Sequence, residues 1–292
     1  MNQATAMQQT PGGGWRARIE LGLRADGQRA VLAKNEHAGP LVVQKPFYPE
    51  GADLAHIYLV HPPGGVCGGD ELAVGLDLGP CAKALATTPA AGKFYRSAGE
   101  PARVDQHFRV GAGASLEWLP QETIVYDGAV AALATRVELT PGACFFGWEI
   151  ICLGLAASNK PFVHGEFRQR LEIWQDARPL LIENLRCRAG DRSLIAPWGL
   201  SGHTVAATFV CTLGAPGGPE PFRQAALAAA REAVSPFTRD NLVAACLCDG
   251  LLVCRLHGRD SAAAKKAFIA AWRALRPLTL GRLAHPPRIW AT

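Results

Sequence analysis

The sequence Ile57-Tyr58-Leu59-Val60-His61-Pro62-Pro63-Gly64-Gly65-Val66-Cys67-Gly68-Gly69-Asp70-Glu71-Leu72-Ala73-Val74-Gly75-Leu76-Asp77-Leu78 holds two apolar runs around a segment crowded with proline and glycine. Proline locks φ, and glycine reaches φ > 0 without a Cβ penalty. The runs read as strands and the segment between them as a rigid turn. A Gly-rich turn after a strand could also cradle phosphate. Here Asp70 and Glu71 stand where a phosphate loop carries Lys and Ser/Thr, and two carboxylates attract a cation instead. The loop is therefore either a structural turn or a place for a divalent metal.

The rest of the chain repeats this rhythm. Residues 15–21, 29–33, 83–88, 103–110, 115–119, 123–126, 136–139, 167–174 and 203–213 read as short strands, many with period-two alternation. Turn signals every eight to twelve residues point to stacked antiparallel sheets rather than βαβ units. Residues 41–49 read as an extended edge, since Pro46 and Pro49 suit one. Two helices stand out late in the chain, at about 221–234 and 261–276, the second stopped by Pro277. Between them lies a hairpin across Asp249-Gly250. The expected fold is mainly β, with layered or solenoid-like antiparallel or mixed sheets and two helices in the C-terminal half. Residues 1–14 read as a disordered start, and 15–292 as one domain.

Composition excludes several classes. The 292 residues carry 30 Lys/Arg against 25 Asp/Glu, and a net charge of +5 without basic runs does not call for nucleic acid. The longest apolar stretch, 145–157, is too short to span a bilayer and contains Glu149. Nine cysteines form no C-x-x-C pair, and Cys246-x-Cys248 is a weak metal signal. Buried thiols in a reduced cytoplasm are the simpler reading. Eight histidines form no H-x-x-x-H, which argues against a zinc enzyme site. His61 is singled out by its place at the start of the Gly-rich loop.

Two carboxylates break the apolar pattern. Glu149 lies within Phe145-Phe146-Gly147-Trp148-Glu149-Ile150-Ile151-Cys152-Leu153, a strand apolar on both faces, and Glu183 shares a face with Leu181 and Leu185. A carboxylate there costs several kcal/mol unless paired, hydrogen-bonded or protonated. Either arginines satisfy them or they line an internal polar channel. Paired carboxylates could also serve a hydrolase as acid and base, although no nucleophile motif accompanies them. A plain β interaction module is a further reading.

Four segments in order resemble the urease accessory protein family UreD (UreH in some lineages). They are the loop His61-Pro62-Pro63-Gly64-Gly65 with Gly68-Gly69-Asp70, residues 87–97 (TTPAAGKFYRS), residues 119–128 (LPQETIVYDG), and the end Pro287-Arg288-Ile289-Trp290-Ala291-Thr292. The resemblance covers about residues 15–292. It implies a non-enzymatic scaffold chaperone that helps place nickel in urease. The implied partners are urease apoprotein and the accessory proteins UreF and UreG, with UreE as nickel donor. GTP hydrolysis in that complex belongs to UreG. No tightly bound cofactor is implied, only transient Ni²⁺ in an internal carboxylate-lined tunnel. By motif, Asp70, Glu71, Glu149 and Glu183 match acidic positions connected with that tunnel. Lys93, Tyr95, Arg96, Gln121 and Glu122 lie in segments that are either docking surfaces or structural corners.

Overall fold

A computed structural model describes residues 8–9, 13–214 and 218–291. The expected disordered start falls largely on residues 1–7 and 10–12, outside the described residues, while Gln8–Gln9 (β1) pairs with the next strand. The strands that follow are β2 (Trp15–Asp26), β3 (Arg29–Ala38), β4 (Ala55–Tyr58), β5 (Glu71–Leu78), β6 (Lys83–Thr87) and β7 (Gly92–Phe94). Then come β8 (Ala102–Val110), β9 (Ser115–Trp118), β10 (Thr123–Val125), β11 (Val130–Leu139) and β12 (Cys144–Leu153). The rest are β13 (Glu166–Gln175), β14 (Arg178–Arg188), β15 (Val205–Thr212), α1 (Glu220–Val234), β16 (Leu242–Cys248), β17 (Leu251–Gly258) and α2 (Ser261–Leu280).

The strands form two facing sheets. One runs β1-β2-β5-β8-β11-β13-β14, with β3 on β2. The other runs β16-β17-β15-β12-β9-β6-β4, with β10 joining β12 and β7. From β4 to β13 the chain passes repeatedly between the sheets, so neighbours in each central sheet run parallel. The expected solenoid-like layering is present, but the expected antiparallel stacking holds only at the ends of the path. Parallel neighbours need a crossover, and here strands of the opposite sheet provide it in place of helices. Period-two alternation fixes which face a residue takes, not which strand it pairs with.

Other boundaries moved for local reasons. The 61–70 loop joins β4 to β5 across the two sheets rather than folding back as a hairpin. Residues 41–49 make only isolated bridges, Val42 to Val60 and Phe47 to His56. Pro277 does not stop α2. In the last turn its missing N–H removes a single hydrogen bond, and the helix ends at Gly281, whose φ of 64° forms the left-handed cap.

Two apolar layers result. Inward residues such as Ile19, Phe108, Leu116, Phe145 and Phe167 fill the space between the sheets. The outer face of the nine-stranded sheet packs Phe146, Trp148 and Phe209 against Phe268 and Trp272 of α2. Each such side chain contributes about 1.5–3 kcal/mol by leaving water, which anchors both helices to that sheet.

Candidate functional site

Strand alternation sends a row of polar side chains into the apolar space between the sheets. Gln106 on β8, Thr135 on β11 and Gln169 on β13 share a face with core residues such as Phe108, Val137 and Leu171. Glu149 on β12 meets them from the other sheet and is only 5% exposed. The Thr135 hydroxyl lies against Glu149 Oε1, and Gln169 Nε2 donates to Oε2. Thr135 Oγ1 is also 3.0 Å from Gln106 Oε1. One hydroxyl proton cannot serve both acceptors at once. Either a proton on Glu149, with Thr135 then donating to Gln106, or a turned Gln106 amide that donates to the hydroxyl resolves this. Burial pushes the Glu149 carboxyl up to about 7; the hydrogen bonds of Thr135 and Gln169 oppose the rise, and the Glu183 charge adds to it.

Glu183 lies one step further. Leu171 pairs with Glu183 across β13 and β14, and Thr208 pairs with Glu149 across β12 and β15. Thr208 donates to Glu183 Oε1 at 3.2 Å, and Arg255 Nε on β17 donates to the same oxygen at 2.8 Å. Glu183 Oε2 is shielded from solvent without a hydrogen-bond partner. Among the described residues the seam, buried at Glu149 and partly exposed at Glu183, therefore holds two carboxylates but only one matching cation.

A cavity of about 350 Å³ opens onto this seam. Its lining includes His61, Gly65, Lys93, Gln106, Trp118 and Glu149. The Gly-rich loop forms one wall. A Cβ on Gly65 would lie 2.3 Å from the Tyr95 ring, so glycine is what lets the loop close against it. Gly64 takes a φ of 79° and Gly69 one of 89°, the left-handed geometry that turns the chain. Burial pulls the His61 imidazole below its ordinary value, against the Asp70 charge.

The other sequence candidates have different surroundings. Asp70 braces the loop: Trp15 N–H donates to Oδ1 and Cys67 N–H to Oδ2, each at 2.8 Å. Glu71 is half exposed and pairs with Arg16 at 3.0 Å. Neither lines the cavity. Arg96 pairs with Asp127 at 3.3 Å, and Tyr95 packs on Tyr126 with ring centroids 5.1 Å apart. Gln121 N–H donates to Thr88 at 3.0 Å, and its side chain accepts from Lys265. The Glu122 carbonyl accepts from Gly92 N–H at 2.9 Å. Trp290 Nε1 donates to Thr87 at 2.9 Å, and Thr87 Oγ1 to the Leu119 carbonyl at 2.5 Å. The 87–97, 119–128 and 287–291 segments thus meet in space. Among the described residues no three His, Cys, Asp or Glu side chains group to hold a metal. No helix among them is long and apolar enough to cross a membrane.

Sequence reasoning missed a second buried cluster. Arg276, fully buried on α2, donates to Glu50 at 2.6 and 2.9 Å and to Glu117 at 2.9 Å. Trp272 Nε1 also donates to Glu117, at 2.6 Å, and His56 Nε2 lies 2.8 Å from Glu50. Burial raises the Glu50 carboxyl, but hydrogen bonds from His56 and Arg276 outweigh it and hold the group at about 2. The signal was available: Glu117 interrupts Leu116, Trp118 and Leu119 just as Glu149 interrupts its strand.

The family model of the UreD urease accessory protein matches residues 16–291. A urease accessory protein UreD of Enterobacter sp. (strain 638) is 42% identical over 281 residues, covering 96% of each chain. One of Azoarcus sp. (strain BH72) is 43% identical over 279 residues, covering 96% of this chain and 95% of its own. One of Klebsiella aerogenes is 39% identical over 281 residues, covering 96% and 97%. With a match along nearly its whole length, the chain belongs to the UreD urease accessory protein family.

Proposed function

We propose that this protein serves urease maturation in the cytoplasm as a non-catalytic scaffold. It binds urease apoprotein together with the accessory proteins UreF and UreG, receives nickel that UreE supplies, and conducts Ni²⁺ through its interior toward urease. The observation that carries the passage is the seam itself. It runs from the cavity under the 61–70 loop through Glu149 and Thr208 to Glu183, inside an otherwise apolar layer. Carboxylate and amide oxygens hold a partly hydrated dication weakly, whereas thiolates or several imidazoles would retain it. Glu149 has no cation beside it among the described residues and gains a favourable partner from a passing dication. Asp70 keeps the loop at the mouth in shape, and Glu71 stands near its outer rim.

The test is co-expression of urease with its accessory set and either wild-type chain, Glu149→Gln or Glu183→Gln. The expected result is unchanged partner capture with reduced urease nickel content and urea hydrolysis. Full nickel loading by both variants would leave a docking platform without a passage.

A further inference from the structure

The cavity beneath the Gly-rich loop has the size and lining of a small-molecule site. Such sites run to several hundred Å³, mostly apolar with a few convergent polar groups, and this one measures about 350 Å³. Leu41, Leu59, Val66, Val104 and Leu133 supply aliphatic wall. A bare ion gains nothing from that surface, whereas a molecule with an apolar body does. Trp118 also lines the cavity, and its buried indole N–H has no hydrogen-bond partner. Glu149 is the one carboxylate among the described residues of the lining. Its hydrogen-bond partners, Thr135 and Gln169, are neutral, and the charge acting on it is that of Glu183, another anion. A buried carboxylate without a counter-ion is the group that a ligand can relieve most.

We propose that this cavity binds a small organic cation, an amine or amidinium head on an apolar body, with the head on Glu149 and the body along the aliphatic wall. The head brings the positive charge that the seam lacks at Glu149. The body displaces water from the wall. Lys93 and His61 share the lining, and a ligand with an anionic head on the same body tests whether they outweigh Glu149. The binding site stands on the cavity alone. The consequence, that an occupant plugs the route and stops nickel transfer, rests on the passage proposed above.

The test titrates the full chain, without nickel or urease, with benzamidine, its neutral analogue benzamide and the anion benzoate, read by calorimetry and tryptophan fluorescence. The expected result is saturable one-site binding of benzamidine, at least about tenfold tighter than benzamide or benzoate. Glu149→Gln, which keeps the shape of the site, loses roughly that factor. So does Val104→Phe, which fills the cavity and leaves the carboxyl in place. Equal binding of benzamide or benzoate, unchanged binding in folded Glu149→Gln, or no saturable binding to the folded wild type overturns the proposal. Failure here leaves the nickel passage standing, and a failed nickel-loading test leaves this site standing.

Discussion

Thr208 stands opposite Glu149 in the β12–β15 ladder and donates its hydroxyl to Glu183 at 3.2 Å. One threonine thus stands between carboxylates from opposite sheets, Glu149 buried and Glu183 partly exposed. Arg255 offsets the charge of Glu183 at 2.8 Å. No cation among the described residues offsets that of Glu149, and burial pushes its carboxyl up to about 7. The two carboxylates therefore respond differently to pH and to substitution.

The first expected outcome is a pH dependence of stability that belongs to Glu149. In the unfolded chain this group titrates near 4.5, and in the folded chain near 7. Between those values the native state keeps a proton that the unfolded state has released. The stability this group contributes is therefore complete below about pH 4.5 and is lost as pH rises to about 7. The loss is roughly 3 kcal/mol at most, since each pH unit across that window is worth about 1.4 kcal/mol. Glu149→Gln removes the titration, so it should unfold at higher urea than wild type above pH 7. Urea melts of both proteins at several pH values check this, and parallel stability curves would count against a protonated Glu149.

Arg276 should be among the costliest positions to change. It is fully buried between Glu50 and Glu117, and its removal leaves Glu117 without a cation and Glu50 with only His56 beside it. Breaking a buried pair from one side costs about 3–5 kcal/mol. Arg276→Met should lower the denaturant midpoint sharply, and Glu117→Gln in the same chain should restore part of it. A loss under about 1 kcal/mol for Arg276→Met would show that water enters the cluster.

The apolar stripe of α2 was legible in the sequence because it is periodic, and Ala264, Phe268, Ala271, Trp272 and Leu275 are all buried. Arg276 was not, because a charged residue at the end of a stripe reads as solvent-facing, and its partners Glu50 and Glu117 lie far away in the chain. The same holds for the seam. Glu149 and Glu183 stood out as acids in apolar strands, whereas Thr135, Gln169 and Thr208 look ordinary in a β strand and acquire a role only through the register of the sheets. A carboxylate in a Gly-rich loop has two uses in sequence, cation ligand or loop brace, and the two backbone N–H groups that Asp70 accepts from are visible only in the fold. Parallel pairing was hidden for a related reason: alternation reports faces, and the partner strand lies a full turn of the solenoid away.

The wall of the cavity depends on Gly65. Its missing side chain makes room for the Tyr95 ring, which a Cβ would meet at 2.3 Å. Gly65→Ala should displace the ring and cost about 1–3 kcal/mol through overpacking. Tyr95→Leu in the same chain should recover much of that loss. Thermal melts of the two single variants and the double variant measure the coupling, and additive effects would show that the loop moves away without help from Tyr95.

Asp70 and Glu183 should separate when nickel delivery is compared at equal folding. Asp70 accepts two backbone hydrogen bonds, from Trp15 and Cys67, so Asp70→Ala leaves both N–H groups without their acceptor. The expected cost is about 1–3 kcal/mol, together with faster proteolysis in residues 61–70. Glu183→Gln keeps the side-chain shape, and an amide oxygen can still accept from Thr208 and Arg255, so its stability should change less. At a temperature where both variants are fully folded, Asp70→Ala should load nickel into urease nearly as wild type does, while Glu183→Gln should fall well below it. Equal deficits at that temperature would make Asp70 a wall of the passage rather than a brace at its mouth.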